Sequence, residues 1–584
     1  MTALEDVPDE ILQHILSYIS PQDNLARVQL LSQRLHRLAN EPLLWRCHCQ
    51  QSFVYWDPSH DFPAKLAGSI FDVNWKALYL LRKAREARAS RLFDGILASK
   101  LGRARRFEQI CLLGYDAKDF LLEQCRTIDS AEDVLARRYH SQAILASLRR
   151  GAALEAWTQL RQHTPDEALD GVPAHGSHSV LERALGALDM FVIKDDAGDL
   201  DHITQMLDQL AAQFREEHPD HRGMCTRDSA LALNRWLRVQ NLTGMDDPQT
   251  NYRNLRNCFL GHALRDENHP SLPMISAAIY CCIAGRLGLN AHCCASPGHI
   301  HAMIFAPRGV TLDGEPIEDD TQQRVAVERM YIDPFNNDQE IDRQSLQARI
   351  VAIGWQNSME ALLEPVSPAT LVERITRNIK ATFTASRAPI VAGNQGVASL
   401  LQGNPAENLE LAVYAAAWAS VLITRDDPEE FGENSRQLAF WFKAHQGEDV
   451  WLIDRFFSPL SARILGRSSS ELAQYMRQVD SRPPQPRYRT PEMEYRVGQV
   501  VFHARTEKLA VVCGWRKNNG LTFYDLMVDD GPAGIVARPE NLELVADPQA
   551  VLATSFDRAG LYFKRFDIAT CTFISNVLED FPDG

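Results

Sequence analysis

Between Leu272 and His301 the chain reads LPMISAAIYCCIAGRLGLNAHCCASPGHIH. A helix closing at Gly288, then a strand, then a Pro297-Gly298 turn that delivers His299 onto another strand are expected here. A helix feeding strands over so short a span commits this part of the chain to an α+β domain. Cys281–Cys282 and Cys293–Cys294 lie in apolar runs and are expected as buried thiols.

The rest of the chain sets the context. A length of 584 residues exceeds what one core supports, so three or four domains are expected. The formal net charge of -15 argues against general affinity for nucleic acid, which needs clustered basic surface. The 12 cysteines contain no CxxC pair. Cys47, His48 and Cys49 are adjacent, which is poor ligand spacing, so they are read as helix packing and no metal or cofactor is expected. Met1–Asp9 carries three acids and no apolar run, unlike a secretory leader. The longest apolar stretch, Leu411 to Ile423, is too short to span a bilayer. A reducing compartment, cytoplasm or nucleus, and no membrane partner are expected.

From Leu4 to Trp45 three short helices are expected. Ile11, Leu12, Ile15, Leu16 and Ile19 recur at helical spacing; Pro21 and Asp23 start a second helix carrying Leu25, Val28, Leu31 and Leu35; Asn40-Glu41-Pro42 breaks to a third with Leu44 and Trp45. About 45 residues bury little surface by themselves, so such a unit needs a partner for its apolar face. The segment Val7-Pro8-Asp9-Glu10-Ile11-Leu12, then Ile15-Leu16-Ser17-Tyr18-Ile19, Ser32, Arg34 and Pro42-Leu43-Leu44-Trp45 resembles an F-box. It departs from that pattern at Val7 and Leu35, where Leu and an aromatic residue are usual. The resemblance implies docking on the small adaptor of a cullin–RING ubiquitin ligase, with Pro8, Ile11, Leu12, Ile15, Leu16, Leu25, Val28 and Trp45 as contact residues.

Residues 51–165 read as a helical connector, a stem between domains. Arg82 to Arg106 holds nine Lys/Arg against Glu86 and Asp94. This is either an import or phosphate-binding patch or, the preferred reading, a solvated helical face whose long side chains cover apolar surface. Pro165 to Ser179 reads as a boundary.

The domain expected over 179–390 opens with two helices between Ser179 and Phe214. The order Tyr252, Asn257-Cys258-Phe259-Leu260, Pro273-Met274-Ile275-Ser276, Gly285-Arg286-Leu287-Gly288, Pro297-Gly298-His299-Ile300 and Asp333-Pro334-Phe335 resembles the bacterial SirB-type transglutaminase-like family. Cysteine–histidine–aspartate chemistry needs a thiolate at a helix start, a histidine to take its proton and a carboxylate to orient the imidazole. His299 and Asp333 suit the last two roles. Met274, Ile275 and Ser276 stand where the thiol belongs. Cys281 and Cys282 lie five or six residues further on, a shift of about 7–9 Å along a helix. The expectation is a degenerate triad remnant of Ser276, His299 and Asp333 with no catalysis, in which His299 and Asp333 form a buried polar pair. His301 is assigned to the opposite face of the strand. The cleft is expected to bind a peptide.

Residues 391–480 are expected to be helical. A Pro-rich linker over 481–493 precedes a change to strand periodicity over 494–550. Short strands at Val497–His503, Leu509–Trp515 and Leu521–Val528, a turn at Asp529-Asp530-Gly531 and a closing segment Gly534–Leu542 predict a small β-barrel. Gly498, Gln499, His503, Trp515, Tyr524, Asp529, Asp530, Glu540 and Asn541 fall in a pattern that resembles the YccV-like domain. That resemblance brings hemimethylated DNA into consideration as a ligand. Six Lys/Arg balance six Asp/Glu from Tyr495 to Val545, which favours protein recognition through Trp515, Tyr524 and the Asp529–Asp530 turn, with a core role for His503 and Trp515 as the alternative. The 551–584 segment is an aromatic tail expected to pack back on the barrel.

The expected fold class is multidomain α+β, mostly α: a three-helix F-box (1–50), a helical stem, a transglutaminase-like domain with a helical tail and a small β-barrel. The combination resembles F-box-only proteins carrying transglutaminase-like and YccV-like domains. It implies the substrate-recognition subunit of an SCF-type ubiquitin ligase, a non-enzyme that presents a client protein. The alternatives are a cysteine-protease or transglutaminase-like enzyme using His299 and Asp333, and a DNA-binding regulator acting through the YccV-like segment.

Overall fold

Helix dominates the computed structural model, with three antiparallel sheets among the described residues. It describes residues 7–162, 177–193, 198–296, 298–317, 327–387, 406–423, 426–445, 447–466, 471–528, 535–554, 556 and 558–583. Among these, no helix is long and apolar enough to cross a membrane. The chain forms two compact units: 1–148 with 448–451 and 474–584, and 149–447 with 452–473. The expected boundary at 165–179 falls almost wholly outside the described residues.

In the first unit the N-terminal module is built from Asp9–Tyr18, Pro21–Ala26, Gln33–Leu38 and Pro42–Ser52. The starts are chemically marked. Ser20 accepts from the Asp23 N–H and Ser32 from the Leu35 N–H, and Pro21 and Pro42 occupy first-turn positions. Leu12, Leu16, Leu35, Leu38 and Leu44 close on one another as a small core. Trp45 belongs to a second core with Phe53, Phe62, Trp75 and Tyr79, and its indole donates to the Ala39 carbonyl at 2.7 Å. Arg34 binds the Asp9 carboxylate and donates to the Val7 carbonyl at 2.6 Å, tying the third helix to the first.

The basic stretch is not a solvated face throughout. On the Trp75–Ala98 helix Arg82 is fully buried and pairs with Asp116 at 3.2 Å and Asp119 at 2.8 Å. Arg85 also pairs with Asp116, at 2.6 Å. Lys100 meets Asp580 at 2.5 Å, and Asp480 caps the Arg103–Cys111 helix by accepting from the Ala104 and Arg105 N–H groups. Unpaired buried charge is too costly, and carboxylates from later segments compensate that of Arg82.

The C-terminal strands form a five-stranded antiparallel sheet in the order Ile535–Ala537, Leu521–Val528, Lys508–Asn518, Val500–His503, Leu542–Leu544. No closed barrel is formed among the described residues, a correction to the expected architecture. Its outer strands are three residues each, joined through the Pro539–Asn541 turn, and pair only inward. The tail supplies a hairpin, Phe563–Asp567 with Thr572–Ser575, and places Phe563, Phe573, Val577 and Phe581 in the core of the sheet. Gly498 permits that approach: its φ is 94°, and a Cβ there would lie 2.0 Å from the Phe573 carbonyl oxygen.

In the second unit, helices Ser177–Val192, Leu200–Glu217 and Thr226–Val239 surround the Pro273–Arg286 helix. Every residue from Pro273 to Ala284 is buried, as a helix apolar on all sides must be. A four-stranded antiparallel sheet follows: Asn290–Ser296, His299–Phe305, Arg329–Ile332 and Glu340–Ile341. Helices Pro368–Arg387, Ala406–Ile423 and Pro428–His445 pack in succession, the first two also against Ser177–Val192.

Candidate functional site

Among the described residues two places are candidate sites: a histidine–carboxylate cluster on the four-stranded sheet and exposed apolar side chains on the N-terminal module.

His299 is the first residue of its strand, reached through a turn in which Gly298 has φ 78°. Asp333 follows the neighbouring strand directly. The register pairs Ala302 with Ile332, so one further step sets Asp333 against His301. The Asp333 carboxylate accepts from His299 Nε2 at 2.9 Å, from the Asn336 amide at 2.7 Å and from the Phe335 and Asn336 N–H groups. Burial pushes the carboxyl up, but the hydrogen bond and charge of His299, with the Asn336 amide, outweigh it and hold the group at about 2. The loop after Asp333 is clamped by the Thr226–Val239 helix: Arg238 donates to the Phe335 carbonyl at 2.8 Å and Asn234 to that of Asn337 at 3.0 Å.

The histidine–aspartate pair therefore forms, with His299 Nε2 committed to Asp333. The nucleophile does not join it. Ser276 is fully buried, and its hydroxyl accepts from the Gly244 N–H at 3.0 Å and shares a hydrogen bond with Ser271 at 2.6 Å. Cys281 sits 3.9 Å from Cys293, sulfur to sulfur. Burial pushes the Cys281 and Cys282 thiols well up, and that of Cys294 to about 12. Buried protonated thiols are inert. Among the described residues no thiol or hydroxyl is hydrogen-bonded to His299.

His301 corrects the sequence reading. Residues two apart on a strand return to the same face, so it stands beside His299, ring centroids 4.8 Å apart. It is buried, and its Nδ1 is 2.8 Å from the Ser296 hydroxyl. Burial, and then the charge of His299, press its imidazole down to about 4. One ligand atom from each of His299, His301 and Asp333 lies within 4.8 Å of the others. The His-x-His spacing was the available signal for this cluster; Ser296, Asn336 and Arg238 left none.

On the N-terminal module the expected contact residues divide. Leu12, Leu16 and Trp45 are core residues that hold the helices together, which corrects their assignment as partner contacts. Leu25 and Val28 pack against the same cores, and Pro8 is exposed at the first helix start. Ile11 and Ile15 remain outside, 51% and 45% exposed. Tyr18, Leu30, Leu31 and Leu43, not singled out as contacts, are more exposed still. A helix that buries Leu12 and Leu16 inward must turn its intervening apolar residues outward.

On the C-terminal sheet, Trp515 and Tyr524 are buried core residues, so they are not exposed contacts. The Tyr524 hydroxyl accepts from the Tyr495 N–H at 3.1 Å, and His503 Nδ1 lies 2.8 Å from the Thr506 hydroxyl. Glu540 is exposed and Asn541 half-buried in the Pro539–Asn541 turn. Asp529 and Asp530 lie outside the described residues.

A model of F-box-like domains matches residues 4–51, and one of the transglutaminase-like superfamily matches residues 201–377. The chain carries both domains. No curated protein and no solved structure matches it.

Proposed function

We propose that this chain is the substrate-recognition subunit of an SCF-type cullin–RING ubiquitin ligase. The F-box-like domain docks the small adaptor, and the transglutaminase-like domain and the C-terminal YccV-like segment hold a client protein. The observation that carries the reading is the exposed apolar set Ile11, Ile15, Tyr18, Leu30, Leu31 and Leu43 on a module matched by an F-box-like model. Several large exposed apolar side chains on one small module are the raw material of a partner surface, and each anchor that becomes buried contributes roughly 1.5–3 kcal/mol.

The transglutaminase-like domain acts as a receptor without cutting its client. What supports this is the buried Ser276, committed to Gly244 and Ser271, and the buried thiols of Cys281 and Cys282. The chemistry of the chain is then positioning, raising the effective concentration of a client lysine near a ubiquitin-loaded enzyme. The compartment implied is cytoplasm or nucleus.

Co-expression with the adaptor tests the docking. The wild-type chain is expected to co-purify as a complex, and Ile11→Asp/Ile15→Asp to lose it with an unchanged circular dichroism spectrum and melting point. Absence of a complex with the wild-type chain would overturn the reading.

A further inference from the structure

We propose that His299, His301 and Asp333 form a binding site for a single divalent metal ion of the zinc class. Three features of the cluster point to a ligand. Two imidazoles and a carboxylate is a donor set that suits zinc and other first-row divalent ions. The three donor atoms already lie within 4.8 Å of one another. Ligands about 2 Å from a tetrahedral ion stand about 3.3 Å apart. Modest side-chain torsion, opening the 2.9 Å His299–Asp333 contact and closing the widest separation, meets that geometry.

The second feature is an unsatisfied ring nitrogen. His301 is 1% exposed, and its Nε2 is a buried nitrogen with no hydrogen-bond partner. Such an atom costs free energy unless something meets it, and a cation can. In the tautomer that donates from Nδ1 to the Ser296 hydroxyl, 2.8 Å away, Nε2 carries the lone pair that a metal requires.

The third feature is the support behind the ligands. Asp333 is held by two backbone N–H groups and the Asn336 amide, all independent of His299. It would stay in place when the imidazole of His299 turns from the carboxylate to an ion. Outer partners of this kind orient ligands in metal sites. His299 keeps about a fifth of its side chain exposed, so three protein ligands leave a fourth position open to water or to an oxygen of a bound peptide.

Metal binding here does not depend on adaptor docking and is read on the isolated full chain. The purified protein, stripped with chelator, is titrated with Co2+ and with Zn2+. Expected are one equivalent of Co2+ bound with visible absorption of a tetrahedral or five-coordinate centre, lacking intense thiolate-to-cobalt bands, and its displacement by Zn2+. Zn2+ should raise the unfolding midpoint of the wild type and not that of His299→Ala. His299 is part-exposed, so its replacement is expected to leave the metal-free fold intact, checked by circular dichroism. His301→Ala should weaken binding at least tenfold, while His292→Gln, on the neighbouring strand, should leave it unchanged. No stoichiometric binding, thiolate bands, or undiminished binding in His299→Ala would each overturn the site.

Discussion

Asp333 concentrates the electrostatics of the central sheet in one side chain. Its carboxyl is lowered from 3.8 to about 2 in the folded chain. A group with a depressed folded value stabilises the fold above its unfolded pKa, and the contribution disappears as pH falls through the folded value. The contribution is about 2 kcal/mol at neutral pH, present in full above about pH 4 and lost by about pH 2. Asp333→Asn is therefore expected to lower stability at pH 7 by about that amount and to flatten the acid limb between pH 4 and 2, measured by urea melts across pH. The pairing of His299 with Asp333 could be read from the sequence, because the Pro-Gly-His and Asp-Pro-Phe segments resemble those of the SirB-type transglutaminase-like family. The neighbouring role of His301 was equally legible from strand periodicity and was assigned to the wrong face. The isolation of Ser276 was not legible: its partners, Gly244 and Ser271, are set by packing around the buried helix.

At the level of elements, the Trp75–Ala98 helix shows how misleading a one-dimensional charge run can be. Nine cations between Arg82 and Arg106 suggest solvent or phosphate. Arg82 instead lies inside the first unit against Asp116 and Asp119. Removing one partner of a buried pair strands the other charges. Arg82→Ala is expected to cost the first unit about 3–5 kcal/mol, whereas Arg88→Ala, on the same helix and exposed, should stay within about 0.5 kcal/mol. Thermal or urea unfolding of the two variants makes the comparison. The C-terminal strands were placed well by their alternation and by the Pro-rich stretch before them. Their failure to close reflects strand length, since three-residue edges cannot sustain a further ladder.

On the scale of the whole molecule, the first unit is assembled from both ends of the chain. The 551–584 segment is a structural part of it: Phe563, Phe573, Val577 and Phe581 sit in the core of the sheet, and Asp580 pairs with Lys100. A chain ending at residue 550 is expected to expose that core and to aggregate or lose the cooperative transition of the first unit, while the second unit keeps its own; differential scanning calorimetry with light scattering distinguishes the outcomes.

Local features follow from the order of the amino acids alone. Helix starts follow from Ser20, Ser32 and the first-turn prolines, the buried helix from its unbroken apolar run, and the strand segments from alternation, because each depends on neighbours a few residues away. Tertiary packing set which apolar residues of the N-terminal module face outward, that Arg82 is buried, that the Ser276 hydroxyl is bonded to Gly244 and Ser271, and that the chain's two ends share a unit. Most of those outcomes turn on groups that arrive from tens to hundreds of residues away, such as Asp116 and Asp119 at Arg82, and burial makes such contacts cost or contribute several times what they would in water.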